Sequence, residues 1–273
     1  MAEIIHELTD LTYLDWTRSR HSSGTAGSFL KSQEISGGRK IYYKLSNYDP
    51  LKGIVGHECV NEIIADRLLT AFGIEHLEYT LIHAKIKIDG KEVITYLCSS
   101  YDFKQRDESK LALDVYYQME RLDGELPLDF CLRLGWDRYI YDMLLLDYLI
   151  LNRDRHGANI EILRNARTGS VRPAPLFDHG LSLLFSCKTD AEVLAYDVME
   201  DKPVQCFVGG ISAERNLELI SHDRKKTLPE YDADLKDLLF EGMDAVISTV
   251  MKDQMWQMIK SRMEYYEDFC NQR

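Results

Sequence analysis

The apolar run Met143 to Leu151 gives way without transition to Asn152-Arg-Asp-Arg-His-Gly-Ala-Asn159. Together with the residues from Trp136 onward, the run has the length and texture of a buried helix. Such a helix carries its polar sequel to the edge of the core, where a polar group without a partner costs several kcal/mol. Asp154, Arg155, His156 and Asn159 therefore need defined partners or a defined task. A second acidic residue in a similar setting follows at Asp178, between Leu176-Phe177 and His179-Gly180. The two strings are expected on adjoining loops against one core.

The apolar run is about half the ~20 residues that a membrane span requires, and Asp147 interrupts it. The first residues, MAEIIHELTD, contain neither a basic stretch nor an apolar segment of leader type. With 33 Lys+Arg against 45 Asp+Glu, the formal charge is -12. That charge repels phosphate backbones and anionic lipid, so neither direct nucleic-acid binding nor a membrane-surface role is expected. Six cysteines lie scattered with no CxxC pair, which suits thiols in a reducing compartment better than a disulfide framework or a zinc site. A soluble, cytosolic chain is the expectation.

The texture changes near residue 105. Before it, β-like stretches dominate: Leu11 to Thr17, Arg39 to Ser46, and a hairpin over Glu78 to Ser100 folded at Asp89-Gly90. One helix interrupts them, from about His57 to Phe72, and Gly73 ends it. After the charged stretch Lys104 to Glu108 the pattern turns helical, with helices expected at 136–151, 213–221, 232–249 and 252–270. Between them lies a non-helical middle, Asn152 to Phe185. The division is 1–105 for a small β-rich lobe and 106–273 for a larger, mostly helical one. A cleft between such lobes is where a small ligand is expected.

Two carboxylates and a carboxamide, Asp154, Asp178 and Asn159, suit Mg²⁺, which takes hard oxygen ligands and keeps several waters. Phosphates then need cationic or backbone donors, and the first half offers both. In Ser22-Ser23-Gly24-Thr25-Ala26-Gly27-Ser28 the glycines let backbone N–H groups approach phosphate oxygens. On a strand over Ile41 to Leu45, Tyr42 and Lys44 share one face while Ile41, Tyr43 and Leu45 share the other. A lysine there is best explained by an anion in the cleft. On the helix, Glu62 falls in an apolar stripe with Ala65 and Leu69, where it needs a cation. Lys44 is the candidate, and Glu58, one turn earlier on the same stripe, competes for it.

In order, these parts resemble a protein kinase-like fold, and specifically the HipA-like serine/threonine kinases, distant relatives of the phosphatidylinositol 3/4-kinases. The Asp154-Arg155-His156-x-x-Asn159 run with Asp178 downstream carries the resemblance, which extends over nearly the whole chain. It implies an α+β, two-lobed architecture: a small β-rich N-lobe with one main helix and a larger helical C-lobe. It also implies roles. Asp154 would accept or orient the proton of the attacking hydroxyl. Asn159 and Asp178 would hold Mg²⁺ on the ATP phosphates. Lys44, positioned by Glu62, would contact those phosphates beneath the Ser23–Ser28 loop. Autophosphorylation of that loop is a further family trait, and Ser22, Ser23, Thr25 and Ser28 are its candidate acceptors. A protein substrate and an antitoxin-like or regulatory partner are the implied partners. Two departures stand out. About twenty residues before the loop are too few for the extra N-terminal subdomain that HipA-like proteins often carry. His179 follows Asp178 where ordinary protein kinases have Phe.

Other functions use the same residue types. A lipid or small-molecule kinase shares the fold, and a nucleotide-binding pseudokinase shares the site. A two-metal phosphoesterase would use Asp154, His156, Asn159, Asp178 and His179, with further His or Asp ligands. His156 reads more readily as a scaffold residue of its loop than as a ligand. Met251, Met255, Met258 and Met263 read as core filler.

Overall fold

Alternating apolar residues and two well-placed turns organise the first hundred residues. The structure, a computed structural model, describes residues 2–17 and 29–272. Strands β1 (Glu3–Asp10), β2 (Lys31–Ser36) and β3 (Arg39–Lys44) are followed by the two-residue pair β4 (Tyr48–Asp49) and β5 (Gly53–Ile54). Helix α1 (Glu58–Ala71) then leads to the hairpin β6 (Thr80–Ile88) and β7 (Lys91–Tyr101). The hairpin turns where expected, with Asp89 and Gly90 both at positive φ (49° and 82°), as a two-residue connection between twisted strands requires. The large sheet has the order β1-β6-β7-β3-β2, with β1 parallel to β6 and the other neighbours antiparallel.

The expected strand at Leu11 to Thr17 is displaced. The strand is β1, which precedes it, and the Asp10 carboxylate ends that strand by accepting the Thr12 N–H at 2.9 Å and its hydroxyl at 2.7 Å. Strand β2 carries no clear alternation and escapes sequence reading. Tyr43 and Leu45 pack with Ile82, Ile86 and Leu97 on one face of the sheet, away from Lys44, as the strand period dictates.

Helix α1 ends as its glycine predicts: the Ile74 N–H bonds Leu69 O and the Gly73 N–H bonds Thr70 O, with Gly73 at φ 62°. Every residue from Glu58 to Leu69 is buried, so α1 lies inside the molecule. Its buried polar side chains each reach another segment. Glu58 accepts the Asn47 N–H, and Asn61 donates to the carbonyls of Gly180 and Ser182. Asp66 accepts N–H groups of Ala2 and Tyr79, and Arg67 donates to the carbonyls of Ala2, Leu239 and Glu241.

Strand β8 (Glu108–Ala112) emerges directly from the charged stretch, followed by α2 (Leu113–Glu120), α3 (Pro127–Arg133) and α4 (Asp137–Leu149). Strands β9 (Asp154–Arg155), β10 (Glu161–Asn165) and β11 (Val171–Pro173) come next, then α5 (Asp190–Leu194), β12 (Gln205–Cys206), α6 (Ala213–Asn216), α7 (Ala233–Phe240) and α8 (Thr249–Gln272). The mostly helical half thus also holds a three-stranded sheet, β11-β10-β8, and a short parallel pair of β12 with β9. Helix α4 matches the expected 136–151 closely. The expected helix at 213–221 is one turn of α6 plus a 3₁₀ turn. The expected helix at 232–249 stops at Phe240, where Gly242 turns to φ 73° and Arg67 takes the last carbonyls. Met255, Met258 and Met263 of α8 are fully buried and Met251 nearly so, as core filler would be. No described helix is long and apolar enough to cross a membrane.

Candidate functional site

Strand β3 ends with Lys44 pointing into the space between the sheet and the helical half. Its ammonium lies 2.7 Å from Glu62 Oε1 and 2.6 Å from Asp178 Oδ1. The lysine thus pairs with Glu62, while Glu58 is turned to the Asn47 N–H. Burial alone would lower the Lys44 pKa, but Asp178 and Glu62 outweigh it and hold the ammonium well above its ordinary value. The Phe29 ring lies 5.1 Å below the same nitrogen.

Glu62 has a second duty. Its other oxygen accepts the His179 N–H at 2.7 Å, which fixes the backbone just after Asp178. Asp178 itself adopts a left-handed φ of 60°, unusual outside glycine and tolerable for aspartate. Gly180 then passes so close to α1 that a Cβ would sit 3.0 Å from Glu58 Cβ and 3.3 Å from Glu62 Oε1. With the Asn61 bonds to Gly180 and Ser182, these contacts lock the Asp178 loop onto the helix that carries Glu62.

The other string is held from below. The Arg155 guanidinium, 1% exposed, grips Asp147 through Nε and Nη2, both at 2.9 Å. It also donates to Phe177 O at 2.8 Å and Asn159 O at 3.3 Å, and meets His179 Nδ1 at 2.9 Å. One buried cation therefore ties α4, the 152–159 loop and the Asp178 loop together. Arg155 thus has the defined partner that its setting requires, and Asp147, the lone carboxylate in the apolar run, was the signal for it. His179 is buried beside it, where burial and Arg155 push its pKa well below the ordinary value, so it is neutral. His156 is a scaffold residue: its Nδ1 accepts the Ala158 N–H at 3.2 Å, and its Nε2 lies 3.4 Å from Asp154 Oδ1.

Asp154 and Asn159 face each other. Asn159 Nδ2 donates to Asp154 O at 2.9 Å and to Asp154 Oδ2 at 3.0 Å, which turns the carboxamide oxygen away from Asp154. Burial raises the Asp154 pKa; nearby His156 opposes this and nearby Asp178 adds to it.

Between the halves lies a cleft of about 1100 Å³, lined among others by Tyr42, Lys44, Tyr79, Phe103, Phe177 and Asp178. Such a volume accommodates a nucleotide-sized ligand. Ser22, Ser23, Gly24, Thr25, Ala26, Gly27 and Ser28 lie outside the described residues. The bounding residues Thr17 and Lys31 are paired through two backbone hydrogen bonds of 2.9 and 2.8 Å. Among the described residues, no three His, Cys, Asp or Glu side chains converge as a metal cluster.

This architecture is that of a two-lobed, kinase-like α+β protein. The chain matches the crystal structure of a Helicobacter pylori proinflammatory kinase, CtkA, with a TM-score of 0.64 at 15% identity, covering 96% of both chains. It also matches the HipA of a Shewanella oneidensis toxin–antitoxin complex of HipA, HipB and operator DNA, with a TM-score of 0.55 at 14% identity. That match covers 91% of this chain and 66% of the other. The fold is therefore the HipA-like kinase fold. No protein-family model and no curated protein sequence matches the chain.

Proposed function

We propose that the chain is an ATP- and Mg²⁺-dependent serine/threonine protein kinase of HipA-like type, with its own Gly-rich segment as one acceptor. The observation that carries this reading is the position of Lys44, bound at once to Glu62 and Asp178 on the wall of the cleft. Phosphoryl transfer asks for positioning and charge neutralisation rather than covalent help, and these residues offer both. Glu62 holds the Lys44 ammonium at the wall of the cleft, where the triphosphate would meet it, and the glycines among Ser23–Ser28 suit backbone contact with phosphates. Asp154, oriented by Asn159, receives the proton of the attacking hydroxyl as the oxygen approaches the γ-phosphorus in line. The Asp178 carboxylate and the Asn159 carboxamide are hard oxygen donors that fit Mg²⁺, which when bound would neutralise charge on the phosphate oxygens. Arg155, through Asp147, keeps both loops at their mutual distance.

The test is incubation of the protein with ATP and Mg²⁺ followed by mass spectrometry. An added phosphate on Ser22, Ser23, Thr25 or Ser28, or on a supplied protein, is expected from the native chain and absent from Asp154→Ala. No phosphate on any acceptor would refute the reading.

A second reading is a nucleotide-binding chain that does not transfer. The 2.6 Å Lys44–Asp178 contact favours it, since incoming phosphates must compete with that carboxylate for the ammonium. Nucleotide binding in titration, without transfer to any partner, would select it. A regulatory partner of antitoxin type belongs to the leading reading; its support is the likeness to a HipA solved with HipB. Co-purification of a partner that suppresses phosphate transfer would test it.

A further inference from the structure

Two of the six cysteines meet beneath the candidate lysine. Cys59 is the second residue of α1, and Cys98 lies on β7 directly across the ladder from Lys44. Both sulfurs turn to the same acceptor, the Lys44 carbonyl, at 3.2 Å from Cys59 and 3.7 Å from Cys98. With one acceptor in common, the two side chains are neighbours. Each residue is 1% exposed, yet Cys98 forms part of the wall of the cleft. A small oxidant entering where a nucleotide would sit therefore meets Cys98, with Cys59 behind it. The other four thiols, Cys131, Cys187, Cys206 and Cys270, are each unbridged and lie in the helical half.

We propose that Cys59 and Cys98 form a reversible oxidation site, at which a peroxide converts the facing thiols to a disulfide joining α1 to the sheet under Lys44. The steps balance. One sulfur, its proton passing to the departing oxygen, attacks the peroxide O–O bond and becomes a sulfenic acid as one water leaves. The second sulfur attacks the first, the S–O bond breaks, the S–S bond forms, and the second thiol proton departs with hydroxide as water. Two thiols lose two electrons in total, and one hydrogen peroxide becomes two waters. Burial opposes ionisation of either thiol, but the facing Cys98, the Ser46 hydroxyl and the Lys44 ammonium outweigh it at Cys59 and bring that thiol below its ordinary value.

The disulfide has structural consequences. Its S–S bond is about 2.05 Å, so both side chains must leave the Lys44 carbonyl and turn toward each other, tying the first turn of α1 to β7. Glu62 stands one turn further along that helix. The Lys44 carbonyl loses both S–H donors, because a disulfide donates nothing. Oxidation thus disturbs the Lys44–Glu62 pair from beneath, and a ligand filling the cleft shields Cys98.

The experiment treats the full chain with hydrogen peroxide, blocks remaining thiols by alkylation, and maps the peptides by mass spectrometry. A linked Cys59–Cys98 peptide is expected, removed by dithiothreitol and absent from both Cys59→Ala and Cys98→Ala. Its formation should slow severalfold when ATP and Mg²⁺ are present. If the native, folded chain loses neither thiol, or if each oxidises separately to sulfinic acid without a linked peptide, the proposal is overturned. This readout needs no phosphotransfer, so it stands or falls apart from the kinase reading. That reading enters only in the slowing by nucleotide; if the disulfide forms but ATP has no effect, nucleotide binding in the cleft is what fails.

Discussion

The Lys44 ammonium and the Asp178 carboxylate, 134 positions apart in sequence, lie 2.6 Å from each other across the boundary of the two halves. Neither residue sits on an element that packs the other by local structure. The contact exists because α1 carries Glu62 to Lys44 on one side and binds the His179 N–H on the other. One carboxylate thus sets the geometry of two strings read separately from the sequence.

Replacing Lys44 by methionine keeps the aliphatic stem and removes the charge. Phosphate transfer should fall about 100-fold or more, the scale of losing one preorganised charge donor. Glu62 and Asp178 are left without their cation, and a buried carboxylate missing its partner typically costs about 3 kcal/mol. Radiolabel incorporation and thermal denaturation read the two effects. Unchanged transfer would remove Lys44 from the site.

Asp154→Asn retains shape and the contact with Asn159 while abolishing the proposed proton acceptor. Transfer should drop by about 10²–10⁴, the usual contribution of a positioned base, with nucleotide affinity little changed. Parallel kinetics and nucleotide titration separate the two. A loss confined to affinity would contradict the assigned role.

Arg155→Leu tests the scaffold rather than the chemistry. Asp147 would remain buried against Asn152 with its main cation gone, and the carbonyls of Phe177 and Asn159 would lose a donor. A stability loss of about 3–5 kcal/mol is expected from chemical denaturation. An Arg155→Lys variant should recover only part, because a point charge does not reproduce the planar two-bond grip. Full recovery by lysine would mean that charge alone matters.

His57 begins α1, and burial pushes its pKa down to about 4, with Lys188 adding to the effect. The unfolded chain binds that proton near the ordinary histidine value of about 6.5, so between the two the unfolded state holds more protons. Stability contributed by neutral His57 is complete above about 6.5 and is lost progressively as pH falls toward 4. Denaturation midpoints measured over that window should decline, and His57→Gln should flatten the decline. An identical slope in the variant would assign the effect elsewhere.

The long elements were legible because each answers to local rules. Helix α1 ends at Gly73, the β6–β7 hairpin turns at Asp89-Gly90, and α4 follows an apolar run. Strand β1 was misplaced because Glu3–Asp10 lacks clear alternation, and β2 for the same reason. The break after Phe240 was hidden because it depends on Arg67, far away in sequence, taking the carbonyls there. The pairing of Cys59 with Cys98 was equally hidden, since strand register and helix position jointly create it.

Residue order and type alone determined that Asp154, Asn159 and Asp178 had to be supported polar groups at the rim of a core, and that Lys44 faced away from Tyr43. Covalent spacing, strand period and the cost of burying unpaired charge suffice for that. Which glutamate takes the lysine, and that Arg155 is buried beneath both loops, was decided only in three dimensions. Glu58 and Glu62 share a stripe of α1, and only the packing of the helix against β3 and the Asp178 loop gives one the ammonium and the other a backbone N–H.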